Sequence, residues 1–182
     1  LATTMMLIVT GVGFLIHLYS SAYMWEDPSF HRFFTYLNLF IFSMLVLILG
    51  DSMPLLFVGW EGVGLCSYLL IGFWFTEDKN ASAGKKAFIA NRVGDFGLLC
   101  GMAMLLYYTG ALDFAGINAG AEGLLTKVQV WPIGGGLPGW FPFKPSHPIE
   151  IYASTLCGLA LFLGCAGKSA QIPLYVWLPD AM

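Results

Sequence analysis

Gly164-Cys165-Ala166-Gly167-Lys168-Ser169-Ala170-Gln171-Ile172-Pro173 decides how this chain is read. The stretch closes an almost purely apolar run, Ile151 to Gly167, long enough to cross most of a bilayer. Lys168 stands at its end. A charge at mid-bilayer costs roughly 2.5–3.5 kcal/mol on insertion scales, so a chain that keeps one there uses it, and the default use is ion or proton transfer. Pro173 removes a backbone donor and clashes with the preceding turn. With Gly164, Gly167 and Ser169 around it, it predicts a helix broken beside Lys168. Broken membrane helices line cavities and expose backbone groups near an ion path. Snorkelling of Lys168 to the interface is disfavoured, because Tyr175-Val176-Trp177-Leu178 continues the apolar pattern beyond it. A P-loop is excluded: Gly-Lys-Ser is present, but the earlier glycine of that motif is missing, and no soluble strand precedes it.

A second buried charge lies in Gly59-Trp60-Glu61-Gly62-Val63-Gly64, inside the apolar run Pro54 to Phe75. Three glycines around one carboxylate permit close helix approach and leave room for water. Glu61 is therefore a functional candidate, against the alternative of a structural carboxylate bonded to a neighbouring helix. Arg92 and Asp95, in Asn91-Arg92-Val93-Gly94-Asp95, are three residues apart and share one helix face, where they can pair. Burial favours the neutral form of an amine and a nearby carboxylate favours the charged one. A Glu61–Lys168 pair of variable separation would thus hold a proton when close and release it when apart. His17, near a helix end, and His31 and His147, outside the apolar runs, are weaker candidates.

Composition agrees with the membrane reading. The 182 residues are 58% hydrophobic and only 10% charged, with mean hydropathy +0.75, whereas soluble domains carry about 25% charged residues. A net charge of −3 and the absence of a basic tract exclude nucleic acid as a partner. Cys66, Cys100, Cys157 and Cys165 all fall in apolar segments without C-x-x-C spacing, and read as small apolar filler rather than as a disulfide framework or metal site. The start at Leu1 and the stop at Met182 suggest part of a longer protein.

The expected fold is all-α, a polytopic membrane protein of about five transmembrane helices, the last one broken. The runs are about Ala2–Ala22, Phe33–Leu49, Pro54–Phe75, Ala87–Tyr108, and from Ile149 past Lys168. Helices are expected because lipid cannot satisfy bare backbone groups, and no alternating pattern suggests a barrel. Gly50-Asp51-Ser52 is a tight turn between antiparallel helices, and Thr76-Glu77-Asp78-Lys79-Asn80 reads as a polar loop. Residues 109–148 read as an extramembrane excursion with a short interfacial helix near Gly120 to Val130. Arg32, Lys79, Lys85 and Lys86 fall on one side and Lys127 and Lys144 on the other, which places the first side in the cytoplasm or its equivalent. Trp74, Tyr107, Tyr108 and Trp131 sit where interfacial anchors are expected.

Together these motifs resemble a known family. Tyr36-Leu37-Asn38-Leu39-Phe40, the Gly59–Gly64 run with Ser67-Tyr68-Leu69-Leu70-Ile71-Gly72-Phe73-Trp74, Lys86-Ala87-Phe88 with Asn91–Asp95, and Gly167-Lys168-Ser169-Ala170-Gln171 with Trp177-Leu178-Pro179-Asp180-Ala181-Met182 are similar to the antiporter-like membrane subunits of respiratory NADH:quinone oxidoreductase (complex I), of the bacterial subunit L and mitochondrial chain 5 type. The resemblance covers nearly the whole chain apart from 109–148. It implies an inverted-repeat fold with broken helices, of which this chain holds most of one repeat, in the bacterial inner membrane or, if organellar, the mitochondrial inner membrane. It also implies that Glu61 and Lys168 form the proton-transfer pair, with Asp95 implicated and Arg92 beside it. NADH, FMN, iron–sulfur clusters and quinone would belong to partner subunits, with no cofactor in this chain. The family's usual histidine is replaced by Tyr175, which does not charge near neutral pH. The alternatives are a subunit of a multisubunit sodium/proton antiporter, which the Asn91–Asp95 run disfavours, and a non-transporting membrane scaffold, which the buried Glu61 and Lys168 disfavour.

Overall fold

The computed structural model describes residues 1–131 and 149–181. Six helices of one turn or several are joined by a short 3-10 turn and two strands: α1 (Ala2–Tyr23), α2 (Phe30–Leu49), α3 (Met53–Ile71), α4 (Asp78–Thr109), α5 (Phe114–Ala119), the 3-10 turn Ala121–Leu125, β1 (Lys127–Trp131), β2 (Ile149–Tyr152) and α6 (Ala153–Lys168). A final turn, α7 (Leu178–Ala181), follows the break after α6. Among the described residues, α1 to α4 are long and apolar enough to cross a membrane, and α6 is a shorter apolar helix. This is a polytopic, mostly helical membrane fold, as the apolar runs imply.

The boundaries differ from expectation in three places. Asp78, Lys79 and Asn80 do not form a loop but open α4. Glu77 begins the hydrogen bonding, its carbonyl accepting from Asn80 N and Ala81 N. At 1.5 Å per residue α4 is roughly 48 Å long, more than a hydrocarbon core of about 30 Å. Its polar first turns therefore need no apolar surroundings, and a search for apolar runs misses them. The helix expected near Gly120 to Val130 is present only as the 3-10 turn Ala121–Leu125; α5 lies upstream of it, where the Asp113 side chain accepts from Gly116 N at 2.8 Å, and Lys127–Trp131 is a strand. Lys127 pairs with Tyr152 and Val128 with Ile151 in an antiparallel ladder that closes the base of the excursion. Lys144 and His147 fall outside the described residues, as does the Trp131 side chain.

Two helix seams build the bundle. At Gly59 of α3, a Cβ would lie 2.6 Å from the Leu47 Cα of α2. The tight Gly50–Ser52 turn can therefore bring the antiparallel pair to backbone contact, the small-residue packing that drives membrane helix association. The second seam joins α4 to α6. A Cβ on Gly94 would stand 3.1 Å from the Gly167 Cα and 3.1 Å from the Leu163 carbonyl. Below it, towards the excursion, Met53, Leu98, Met102, Leu105 and Cys157 form the buried core of α3, α4 and α6, with Phe57, Trp60 and Leu161 packed on it. By contrast α1 buries little beyond Gly13 and Ser20. It exposes Leu7, Phe14 and Leu18, which suits a lipid-facing surface.

α6 ends at Lys168, at the expected position. Ala170 adopts φ 50, a left-handed conformation that cannot propagate the helix. The freed carbonyls find partners: Ala166 O accepts from Gln171 N at 2.9 Å, and Gly167 O from the Trp177 indole at 3.1 Å. Sixteen residues span roughly 24 Å. A helix that leaves the excursion and stops there ends short of crossing the hydrocarbon.

Candidate functional site

α3, α4 and α6 converge at one level. With α3 running from Met53 to Ile71, Glu61 lies near its middle. Arg92 and Asp95 lie near the middle of α4. Lys168 terminates α6 one residue beyond the Gly94–Gly167 contact. The four candidate residues are thus brought together by two helix midpoints and one helix end.

Their pairing differs from the sequence expectation. Glu61 is joined to Arg92, whose Nη1 donates to Glu61 Oε2. The same Nη1 lies 3.7 Å from Asp95 Oδ2, so the expected intrahelical pair is present but is the looser of the two. The guanidinium is seated 4.5 Å over the Phe88 ring. Asp95 is the most enclosed acid, its side chain 5% exposed against 23% for Glu61, and it accepts from Trp60 Nε1 at 2.6 Å.

Lys168 is the group left over. Its Nζ is buried and has no hydrogen-bond partner among the described residues. It lies 5.6 Å over the Trp60 ring and against Gly64, where a Cβ would occupy the ammonium's place. Gly64 is thus a recess cut for the amine. The charges acting on Lys168 are Asp95, the strongest, then Glu61 and Arg92. Asp95 and Glu61, each already engaged with another donor, make no ion pair with the ammonium among the described residues.

Trp60 is the functional side chain that the sequence reading missed. Its indole N–H fixes Asp95 while its face supports Lys168. The available signal was an indole donor needing a partner beside a membrane carboxylate. Neither described histidine takes part: His17 Nδ1 bonds the Gly13 carbonyl of its own helix at 2.8 Å, and His31 stands in the first turn of α2. Tyr175 is half-exposed, away from the cluster. Among the described residues no group of acids, histidines and cysteines has metal-binding geometry.

The same convergence of helices is found in known proteins. Residues 50–182 match the family model described as NADH:quinone oxidoreductase/Mrp antiporter, TM. The chain belongs to that family. Residues 1–34 also match the model described as NADH-Ubiquinone oxidoreductase (complex I), chain 5 N-terminus. Over all 182 residues it is 46% identical to NADH-quinone oxidoreductase subunit L of Mycobacterium tuberculosis, covering 25% of that protein. It is likewise 46% identical to the chloroplastic NAD(P)H-quinone oxidoreductase subunit 5 of Chlorokybus atmophyticus, covering 26% of it. Among solved structures, the Mrp complex from Dietzia sp. DQ12-45-1b superposes with TM-score 0.74 at 28% identity, over 99% of this chain and 17% of that one. The chain thus spans about a quarter of the length of its curated relatives. As a member of this family it is an integral membrane chain, and its four long apolar helices agree.

Proposed function

We propose that this chain is the proton-transferring part of an antiporter-like membrane-arm subunit of respiratory NADH:quinone oxidoreductase. The observation that carries the proposal is the Lys168 ammonium, buried without a hydrogen-bond partner among the described residues, over the Trp60 ring whose indole holds Asp95, while Arg92 holds Glu61.

Arg92 is the movable element in this arrangement. A guanidinium keeps its charge in proteins, so Arg92 changes the local field rather than carrying a proton. It stands within ion-pair reach of both Glu61 and Asp95. Held on Glu61, it leaves the Asp95 carboxylate as the less compensated negative charge near Lys168. Shifted to Asp95, it frees Glu61 to accept a proton. Either movement alters how firmly Lys168 holds its own proton. Moving one proton against 100 mV takes roughly 2.3 kcal/mol, a size that the approach or withdrawal of one carboxylate can supply. NADH oxidation, FMN, iron–sulfur clusters and quinone belong to partner subunits in this proposal, and their chemistry reaches the chain as a conformational or electrostatic change.

The test is NADH-driven proton uptake by liposomes carrying the purified full-length complex in sodium-free buffer, with and without Glu61→Gln. The proposal expects an assembled variant with depressed uptake; normal uptake makes Glu61 structural. The likeness to the Mrp complex supports a second reading, a multisubunit sodium/proton antiporter. A strict requirement for sodium in the same assay selects that reading.

A further inference from the structure

The basic end of the bundle carries a cavity that the proton-transfer site does not use. It measures about 160 Å3 and lies between the start of α2, the segment following α3 and the start of α4. Arg32 and Lys85 line it with Tyr36 and Tyr68, and among the described residues no carboxylate does. Arg32 is fixed in place: Nη2 donates to the Phe73 carbonyl at 3.1 Å, and the guanidinium sits 4.6 Å over the Phe73 ring and 5.1 Å over the Phe75 ring. Its Nε is buried and has no hydrogen-bond partner among the described residues. Among those residues Lys85 makes no ion pair either; the lysine salt bridge on this helix belongs to Lys86. Asp27, on which the Arg32 charge acts, is committed to the Trp74 indole and the Ser29 backbone N–H.

A second cavity shares two of these walls. Tyr68 and Lys85 also border an apolar groove of about 380 Å3 that continues over Leu65, Phe88 and Ile89 on the outer face of α3 and α4. Leu65 and Ile89 are exposed there. A cationic recess with tyrosine hydroxyls, opening onto an apolar groove along the same helices, matches a molecule with an anionic head and a hydrocarbon tail.

We propose that this site binds one anionic phospholipid, its phosphate between Arg32 and Lys85 and an acyl chain along Leu65, Phe88 and Ile89. Basic pockets between membrane helices recognise such headgroups on the positively charged side, and the bias of Arg32, Lys79, Lys85 and Lys86 puts this cavity on that side. A free phosphate would fill the recess but leave the groove unexplained.

The experiment uses the delipidated full-length complex in detergent and a phosphatidylglycerol with a photoactivatable group on its acyl chain, with cross-linked peptides mapped by mass spectrometry. Labelling is expected within residues 65–89, competed by unlabelled phosphatidylglycerol but not by phosphatidylcholine or inorganic phosphate. Each cation removed should weaken binding about fivefold, so Lys85→Gln loses about fivefold and Arg32→Gln with Lys85→Gln roughly twenty-five-fold. Lys85→Gln is the decisive variant, since an exposed side chain outside the ion-pair network can be changed without unfolding. The site is refuted by unchanged labelling in Lys85→Gln, by equal competition from phosphatidylcholine, or by displacement with inorganic phosphate.

Discussion

The middle of α4 and its basic end hold the same kinds of charge in different surroundings. At the basic end Lys86 meets Asp180 of α7 at 2.6 Å, both side chains 46% exposed, and Asp27 accepts from Trp74 at 2.9 Å in an exposed loop. These charges have partners and access to solvent or headgroups. In the middle, Arg92 is divided between two acids, and Lys168 is buried with none of its protons accepted among the described residues. Exposed pairs contribute about 0–1 kcal/mol, whereas stranding a buried charge such as Asp95, 5% exposed, costs about 3–5 kcal/mol. Pairing at the basic end ties segments together. Under the proposed function, incomplete pairing in the middle leaves a proton whose hold depends on geometry.

That contrast fails if the middle proves inert. Glu61→Gln keeps the shape of α3 and removes only the charge, so assembly should persist. Proton uptake through this subunit should fall about tenfold or more, the equivalent of ~1.4 kcal/mol on the limiting transfer. Uptake by the reconstituted complex measures it. Trp60→Phe sharpens the comparison. The ring under Lys168 remains, but the hydrogen bond to Asp95 is lost, and a bond to a charged group is worth about 1.5–3 kcal/mol. Uptake should fall several-fold, less than in Glu61→Gln, with the protein still assembled.

At the basic end the expected effects are small. Lys86→Gln should lower the thermal stability of the complex by no more than the ~1 kcal/mol of an exposed pair, with uptake unchanged. Asp27 responds to pH. The Trp74 hydrogen bond, then the Ser29 N–H, then Arg32 hold its carboxyl below the usual aspartate range. A depressed carboxyl stabilises the fold above its unfolded value and loses that contribution as pH falls through the folded one. Asp27→Asn should therefore be slightly less stable than the parent at pH 7, with the difference beginning to shrink in melts below about pH 4 and gone only once pH has fallen through the lowered folded value.

Much of this was legible in the sequence because lipid imposes one rule on long apolar runs. α1, α2 and α3 lie where their hydropathy puts them, and α6 stops at Lys168 within the Gly/Ser/Pro cluster that predicts the break. Asp78–Asn80 misled because polar residues can extend a membrane helix beyond the hydrocarbon. The small β1–β2 ladder escaped notice because its partners are separated by the residues between Trp131 and Ile149. In the site, all four ionisable residues were identifiable as charges in apolar runs. Their partners were not. Sequence spacing gives the Arg92–Asp95 face, but the α3–α4 contact that delivers Glu61 to Arg92 and Trp60 to Asp95 is a matter of helix rotation.

The central claim is that Glu61 and Lys168 act as one unit although Arg92 stands between them in the ion-pair network. A double-mutant cycle on proton uptake by the reconstituted full-length complex, with Glu61→Gln, Lys168→Met and the combination, tests it most directly. A coupled unit predicts that the double variant is hardly worse than either single one. Losses that simply multiply would contradict the account and assign the two residues to separate steps.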